Sequence, residues 1–271
     1  MKVKYKFGFI GTGNMGGALA RAVSEKTEPE EMLLSNRPAE KARALAEELG
    51  CEAGTNAEVA SSCRYIFLGV KPQGMTALAE EIAPVLGARE DRFILVTMAA
   101  GLSSETISSL FGGNIPVIRI MPNTPVAIGE GMILCTANSL VAEAELSEFK
   151  EALEHAGICD MISEEKIDAA SVISGCGPAF MFMFISAFEE AGKELGLDAE
   201  KARLYAEQTM LGAAGLALSS AEAPEELKIK VCSPGGTTIE GVRSFEKNEL
   251  DKLVREAVQA SYKRTLELAG K

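Results

Sequence analysis

The chain has 271 residues, a formal net charge of −12 and 47% hydrophobic residues, which is a normal globular composition for one large or two ordinary domains. The acidic excess argues against a nucleic-acid partner, because proteins that bind the phosphate backbone concentrate Lys and Arg on one face. No uninterrupted apolar run reaches the roughly 18 residues that span a membrane, and the chain starts on a strand pattern rather than a cleavable segment. We therefore expect a cytoplasmic protein without nucleic-acid or membrane partners.

Side chains that commonly bind metal ions are few or badly spaced. The six cysteines show no metal-binding spacing and lie mostly in apolar segments, which is typical of buried thiols in a reducing compartment. His155 is the single histidine, so a histidine metal site or a Ser/His/Asp triad is hard to build within one chain. Its place near the end of a charged helix predicted over 141–156 favours a helix-end role. We expect no metal, and chemistry that comes mainly from a cofactor.

Short apolar runs alternate with helical patterns over about the first 160 residues. The alternation predicts a mostly parallel sheet wrapped by helices. Several runs are almost continuously apolar, as expected for strands covered on both faces. The predicted strands are 7–10, 32–35, 65–70, 93–98, 117–121, 131–135 and 158–162.

The pattern changes after about Ser163. Helices are predicted over 167–174, 178–195, 199–219, 225–231 and 250–269, with no strand between them. We therefore predict an α/β fold, with a Rossmann-type domain over 1–163 and an all-helical domain over 164–271. The segment 179–185 is apolar around its whole circumference, so a partner subunit should cover that helix, or else it is a central core helix of a monomer.

A glycine-rich segment follows the first predicted strand and opens a helical pattern. It reads Gly11-Thr12-Gly13-Asn14-Met15-Gly16, which fits the turn that binds the pyrophosphate of a dinucleotide at a helix N-terminus. We expect the residues from Gly11 to Met15 to contact this cofactor. A tight strand-to-helix turn without a ligand is the alternative.

The end of the second strand favours one cofactor over another. Enzymes specific for NAD usually carry Asp or Glu here to accept from the ribose hydroxyl, whereas this chain has Ser35-Asn36-Arg37. Serine and asparagine can donate to a 2′-phosphate, and Arg37 offers a charged fork. We expect NADPH, with NADH as the second choice. The competing interpretation is that Arg37 only caps a solvated turn before Pro38.

Three later strand ends lie on the same rim of the predicted sheet, where ligands bind in open α/β folds. They are Val70-Lys71-Pro72, Ala99-Ala100-Gly101 and the segment 119–125. Lys71 is long enough to reach a phosphate or ribose, and the small residues after the fourth predicted strand let a cofactor pass close by. The alternative is that these are simply loop residues.

A second anion-binding signal lies near the end of the chain, in Ser233-Pro234-Gly235-Gly236-Thr237-Thr238-Ile239-Glu240-Gly241. The proline fixes one backbone angle, the glycines allow close approach, and the N–H groups of the following helix start attract an anion. Such a turn can hold a small carboxylate. Earlier, Gly175-Cys176-Gly177-Pro178 is predicted to start the apolar helix, where it either lines a cleft or packs tightly.

With these motifs the sequence resembles the pyrroline-5-carboxylate reductases over essentially its whole length. The resemblance rests on 11–16, 70–72, 98–101, 119–125, 174–178 and, most specifically, 233–241 with Arg243, Phe245 and Glu246 beyond. It implies NADPH- or NADH-dependent reduction of the cyclic imine 1-pyrroline-5-carboxylate to L-proline, the last step of proline biosynthesis. It also implies an intertwined homodimer of helical domains, which often assembles further into rings.

The resemblance also assigns roles to individual residues. The substrate site would comprise Val231, Ser233, Gly235, Gly236, Thr237 and Thr238. The hydroxyl of Thr238 would contact the ring nitrogen, which makes it the predicted catalytic residue, and Met121 and Asn123 would flank the nicotinamide. The chain departs from many relatives at Cys176 and Phe180, which replace two hydroxyl-bearing residues.

Two other functions remain open at this point. A β-hydroxyacid dehydrogenase has a similar domain order but needs a catalytic lysine in its helical part, for which Lys193 would have to serve; its acidic neighbours favour a solvated ion pair instead. A sensor that binds NADP and reports through its dimer interface would bind the cofactor without turnover of any cyclic imine.

Overall fold

An eight-stranded sheet organises the first part of the chain in a computed structural model that describes residues 3–268. The strands are β1 Tyr5–Ile10, β2 Met32–Ser35, β3 Glu52–Ala53, β4 Cys63–Leu68, β5 Ile94–Thr97, β6 Val117–Pro122, β7 Gly131–Ala137 and β8 Gly157–Met161. They lie in the order β3-β2-β1-β4-β5-β6-β7-β8, and every pair is parallel except β6 with β7. The order reverses between β1 and β4, which opens a crevice at their carboxyl ends.

Helices cover both faces of this sheet. They are α1 Asn14–Ser24, α2 Ala39–Leu49, α3 Asn56–Ser62, α4 Met75–Gly87, α5 Ser104–Leu110 and α6 Glu143–Ala152. The buried side chains of α1, α2 and α6 join one apolar core, and those of α3, α4 and α5 join a second core on the opposite face. These two cores explain the almost continuously apolar strands, because β1, β2, β4, β5 and β6 each contribute side chains to both.

An aromatic stack fixes the centre of the first core. Phe9 of β1 and Phe67 of β4 stack with their ring centroids 4.3 Å apart, and Phe7 stacks on Tyr65 at 5.3 Å. These residues alternate along their strands, so all four rings project from the same face of the sheet. Phe149 of α6 packs against the stack, 5.8 Å from Phe67, which holds α6 on the sheet.

The rest of the chain is helical. Its helices are α7 Glu164–Glu194, α8 Ala199–Ser219, α9 Pro224–Val231, α10 Thr237–Lys247 and α11 Leu250–Leu268. The chain divides into two compact units, one up to Cys176 with the end of α11 from Tyr262 onward, the other from Gly177 to Ser261. The second unit exposes large apolar side chains, with Phe182 at 62% and Met183 at 70%. The segment 179–185 is therefore not the covered core helix of a monomer.

The strands were predicted well, with ends that differ by at most two residues. The two-residue β3 was missed because nothing in its sequence marks it. The charged helix predicted over 141–156 is shorter: α6 ends at Ala152, and His155 lies in a 3-10 turn after it. The last predicted helix is observed as α11 up to Leu268, and residue 269 lies outside the described residues.

The prediction of two helices separated at Gly175–Pro178 was wrong, because α7 continues through this segment. Proline has no N–H group, so Pro178 leaves the carbonyl of Ser174 without its helical donor. The side-chain Nδ2 of Asn123 donates to that carbonyl at 3.0 Å. A side chain from another element thus replaces the hydrogen bond that the proline removes, and the helix is not interrupted.

By length and composition alone, α7 is long and apolar enough to cross a membrane. Only 11% of its most apolar 18-residue stretch is buried. The earlier expectation missed this helix because it counted uninterrupted apolar runs, whereas mean hydropathy tolerates scattered polar residues. One such helix is weak evidence for a membrane span, since an apolar helix that packs against a second subunit passes the same test.

The carboxylate of Glu145 connects α6 to the loop before β5. Arg92 donates to it twice, from Nε to Oε1 at 2.8 Å and from Nη2 to Oε2 at 2.7 Å. The backbone N–H of Ala142 donates to Oε2 at 2.9 Å. The hydrogen bonds from Arg92 are the main cause that lowers the pKa of Glu145 from 4.5 to about 2, against an opposing effect of burial.

This lowered pKa predicts a pH-dependent stability. A carboxylate whose pKa is lower in the folded protein stabilises it above the unfolded pKa, and this contribution is lost as the pH falls from 4.5 towards 2. We expect Glu145→Gln to lower the free energy of unfolding by about 1–3 kcal/mol at pH 7, and by less as the pH falls through this window. Urea unfolding followed by circular dichroism measures this. Glu143→Gln, in the same helical turn but exposed, is the control; equal effects of Glu145→Gln at pH 7 and pH 3 would contradict the prediction.

Candidate active site

The turn between β1 and α1 is built from close main-chain contacts. Gly11 has a φ of +98°, and a Cβ at this position would lie 2.6 Å from the carbonyl oxygen of Gly69. A Cβ on Gly16 would lie 2.0 Å from the carbonyl oxygen of Gly11. Neither position accepts a side chain. Gly13, in contrast, immediately precedes α1, and no atom lies within 4 Å of the place a Cβ would occupy there, so the helix N-terminus faces open space.

The polar groups at this turn fit an anion. No side chain caps α1, and no acidic residue lies in its first turn, so the first N–H groups of the helix remain available to a ligand. The hydroxyl of Thr12 is buried without a hydrogen-bond partner, and the backbone N–H of Thr12 donates to Asn36 Oδ1 at 2.8 Å. An uncapped helix start beside an unpartnered buried hydroxyl fits the pyrophosphate of a dinucleotide.

A cavity of about 430 Å³ adjoins the turn. The predicted cofactor residues that line it are Gly11, Gly13, Asn36, Arg37, Val70 and Lys71. The structure adds Lys41, Asn56, Gly69 and Glu81, which sequence reasoning missed. Gly69 could have been found, because a small residue at a strand end commonly marks a close approach. Asn56 and Glu81 come from helices α3 and α4, where no spacing or motif marks them.

The predicted donors at the end of β2 are partly engaged within the protein. Ser35 is 1% exposed, and its hydroxyl donates to Asn56 Oδ1. Asn36 accepts from Thr12 through Oδ1 and donates from Nδ2 to the carbonyl of Pro38 at 3.0 Å. Arg37, whose side chain is 77% exposed, pairs with Glu81. Of the three residues, Arg37 is the one whose side chain is free to turn towards a ligand.

The strand end after β5 belongs to a different cavity. Gly101 lines a space of about 550 Å³ together with Arg119 and residues at the start of α7, while Ala99 is buried. Arg119 lies at the bottom, where Nη1 binds Glu164 at 2.6 Å and Nη2 binds Asp168 at 2.7 Å. These ion pairs, one to the buried Asp168 and one to the half-buried Glu164, attach the start of α7 to β6.

Both residues predicted beside the nicotinamide lie at the end of β6. Met121 is half-buried. Asn123 is buried; its Oδ1 accepts from the backbone N–H of Met132 at 2.9 Å and its Nδ2 donates to Ser174. The amide of Asn123 therefore has a structural role that the sequence did not reveal, because its partners are distant in the chain.

The predicted substrate residues belong to the second compact unit, at the junction of α9 and α10. Gly236 donates its N–H to the carbonyl of Ser233 at 3.0 Å, and Gly235 has a φ of +71°, so the segment forms a tight turn that needs glycine. No side chain caps α10, which begins after Gly236. The uncapped helix start and the exposed Thr237 and Thr238 suit a carboxylate with a neighbouring polar group.

Other chemistry has little support in the structure. The Nζ atom of Lys193 binds Glu190 at 2.7 Å, and this hydrogen bond raises the pKa of the lysine, which disfavours a neutral catalytic amine. Within residues 3–268, no group of three or more His, Cys, Asp or Glu side chains is arranged to hold a metal ion.

Two family models match different parts of the chain. A family model described as NADP oxidoreductase, coenzyme F420-dependent, matches residues 6–101. A second model, described as pyrroline-5-carboxylate reductase dimerisation, matches residues 164–268. The fold and the two glycine turns thus define an oxidoreductase with a dinucleotide-binding domain and a helical dimerisation domain.

Full-length relatives specify the family. A pyrroline-5-carboxylate reductase of Pseudomonas aeruginosa is 36% identical over 97% of both chains. Among solved structures, a pyrroline-5-carboxylate reductase of Coxiella burnetii superposes with a TM-score of 0.90 at 30% identity over 98% of both chains. That of Plasmodium falciparum with NADP bound superposes with a TM-score of 0.86, also at 30% identity over 98% of both chains. The chain belongs to the pyrroline-5-carboxylate reductase family.

Substitutions at two glycines of the first turn are expected to separate an effect on folding from an effect on cofactor binding. Alanine at Gly13 meets no neighbour but occupies the open space before α1, so we expect Gly13→Ala to preserve thermal stability and to weaken NADPH binding by about tenfold or more. Gly16→Ala places a methyl group against the carbonyl of Gly11 and should destabilise the fold by about 1–3 kcal/mol. Calorimetric titration and thermal unfolding measure the two effects. Unchanged NADPH affinity in Gly13→Ala would place the pyrophosphate elsewhere.

Proposed function

We propose that the protein reduces 1-pyrroline-5-carboxylate to L-proline with NAD(P)H, in the last step of proline biosynthesis. The observation that carries this function is the match to pyrroline-5-carboxylate reductases over 97% of both chains. Two uncapped helix starts, at α1 and at α10, support it. Each fits one of the two anions that the reaction brings together, the cofactor pyrophosphate and the substrate carboxylate.

Reduction of a cyclic imine requires a hydride donor, a fixed carboxylate and a proton on the ring nitrogen, because protonation makes the C=N carbon electrophilic. The reduced nicotinamide supplies the hydride when it is bound. The turn from Gly11 binds the pyrophosphate, and the backbone N–H groups of the loop from Ser233 to Thr238 hold the carboxylate. Thr238 orients the nitrogen and relays its proton. Positioning of this kind contributes as much as ~7–11 kcal/mol in well-oriented reactions.

NADPH is the preferred cofactor in this proposal. The end of β2 offers Arg37 and no carboxylate to the 2′-phosphate, and Arg37 lies on the cavity with an exposed, adjustable side chain. Lys41 and Lys71 add positive charge to the same cavity. The hydroxyl of Ser35 contributes indirectly, through its hydrogen bond to Asn56.

The protein self-associates through its dimerisation domain, and we propose an intertwined homodimer that assembles further into rings. The exposed apolar side chains of α7 and α8 support the dimer, since isolated soluble chains rarely expose so many. The proposal assigns cofactor binding to residues 1–163 and dimerisation to 164–271. We also propose that the protein is cytoplasmic, without nucleic-acid or membrane partners. The cysteines within residues 3–268 are all free of disulfide bonds, which agrees with a reducing compartment.

The function is tested by the loss of NADPH absorbance on adding 1-pyrroline-5-carboxylate, with proline as the identified product. Parallel reactions use NADH and a six-membered cyclic imine acid. We expect turnover with both dinucleotides. At low dinucleotide concentration the reaction should be faster with NADPH than with NADH, and the five-membered imine should be reduced faster than the six-membered one. A folded protein that binds NADPH but reduces neither imine would favour the sensor instead.

The role of Thr238 is tested by substitution. Thr238→Val keeps the shape of the side chain and removes its hydroxyl, so we expect kcat/KM for the imine to fall by about 10² or more. Thr238→Ser retains the hydroxyl and should keep most of the activity. The affinity for NADPH, measured by calorimetry, should be unchanged in both variants. Equal activity of Thr238→Val and the unmodified protein would remove the hydroxyl from the mechanism.

A further inference from the structure

The carboxylate of Glu81 lies on the cofactor cavity beside the residues expected to recognise the adenosine ribose. Its Oε2 atom accepts from Arg37 Nη2 at 2.7 Å and from Asn56 Nδ2 at 3.0 Å. Asn56 is held in turn by the hydroxyl of Ser35. Four polar side chains from β2, the loop after it, α3 and α4 therefore form one connected chain of hydrogen bonds along the cavity.

Dinucleotide-binding folds that use NAD commonly carry an acidic residue at the end of β2, where it accepts from the ribose hydroxyl. Here β2 ends at Ser35, and neither Ser35 nor Asn36 is acidic. The carboxylate at this edge of the cavity comes from α4 instead, much later in the chain. Its two hydrogen bonds keep one oxygen paired, and as a carboxylate it retains further acceptor sites for a ligand hydroxyl.

We infer that Glu81 is a specificity-determining residue that opposes the 2′-phosphate and favours the free ribose hydroxyl. The inference rests on the proposed cofactor site and deepens it. A 2′-phosphate would lie beside the Glu81 carboxylate, and two neighbouring anions repel each other. To pair with Arg37, the phosphate must also break the hydrogen bond between Arg37 and Glu81. A ribose hydroxyl can donate to Glu81 while the Arg37–Glu81 pair stays in place.

Arg37 and Glu81 differ in how firmly other residues hold them, and this difference decides which side chain moves when a ligand binds. The Arg37 side chain is 77% exposed and that of Glu81 31%. An exposed ion pair contributes little to stability, so a phosphate can compete for Arg37 at small cost. Glu81 is also tied to Asn56, which is buried and bonded to Ser35. The arginine turns towards the ligand, whereas the carboxylate remains and limits the preference for NADPH.

Glu81→Gln removes the charge and keeps an acceptor for both partners, so the fold should be preserved. Binding of 2′,5′-ADP and of 5′-AMP to the full-length protein is measured by calorimetry, because these ligands differ only in the 2′-phosphate. We expect Glu81→Gln to bind 2′,5′-ADP about tenfold more tightly and 5′-AMP more weakly. NADPH and NADH should shift in the same directions.

Two further variants make the test specific. Glu80→Gln removes a charge from the exposed neighbouring position of α4 and should change neither affinity by more than about twofold. Arg37→Ala should lower the affinity for 2′,5′-ADP about tenfold and leave the affinity for 5′-AMP almost unchanged. If Arg37→Ala weakens both ligands equally, the arginine does not bind the 2′-phosphate and the inference fails.

Two results of the binding measurements on Glu81→Gln would contradict the inference. Equal changes for both ligands would show that it only supports Asn56, and unchanged affinities would show that the ribose lies elsewhere. Either result overturns the inference while imine reduction by the unmodified protein leaves the proposed function intact. A protein that binds neither nucleotide and reduces no imine overturns both.

Discussion

The candidate cofactor site depends on a close approach of main chains where the order of the sheet reverses. A Cβ on Gly16 would lie 2.0 Å from the carbonyl oxygen of Gly11, and one on Gly69 would lie 2.3 Å from the same oxygen. Glycine at these positions allows the turn after β1, the first turn of α1 and the end of β4 to pack directly on each other. The N-terminus of α1 and the segment leading to α4 thereby border one cavity, and the side chains of Arg37 and Glu81 meet at its edge.

The positive potential in this cavity comes from groups that line it, because the protein as a whole is negatively charged. A chain with a net charge of −12 that receives an anionic dinucleotide needs positive potential where the phosphates bind. Backbone N–H groups supply it at the first turn, without any cationic side chain. Long cationic side chains supply it where the ribose is proposed to bind, because Arg37, Lys41 and Lys71 line the cavity. In the proposed cofactor site, the pyrophosphate is consequently bound by fixed main-chain groups, and the ribose is bound by side chains that can adjust.

The sequence predicted the parts of this protein that are encoded by neighbouring residues. Apolar runs located the strands, and the glycine turn after β1 was recognised from six consecutive residues. Two features could not be found in this way. The continuity of α7 through Pro178 depends on Asn123, and the acidic group beside Arg37 at the cavity edge comes from α4; both are tertiary relationships between distant segments. Glycine and proline signals describe local preference, and a side chain from elsewhere can override them.

The hydrogen bond from Asn123 to Ser174 has a consequence for how such a chain can evolve. Loss of Asn123 while Pro178 is kept leaves a helical carbonyl without a donor. Loss of Pro178 while Asn123 is kept is tolerated, because a carbonyl oxygen has two lone pairs and accepts from both the restored main-chain N–H and the amide. The two positions therefore depend on each other in one direction, and a chain that keeps Pro178 should also keep a donor at position 123. A donor at the end of a strand is thus a condition for a proline inside a helix.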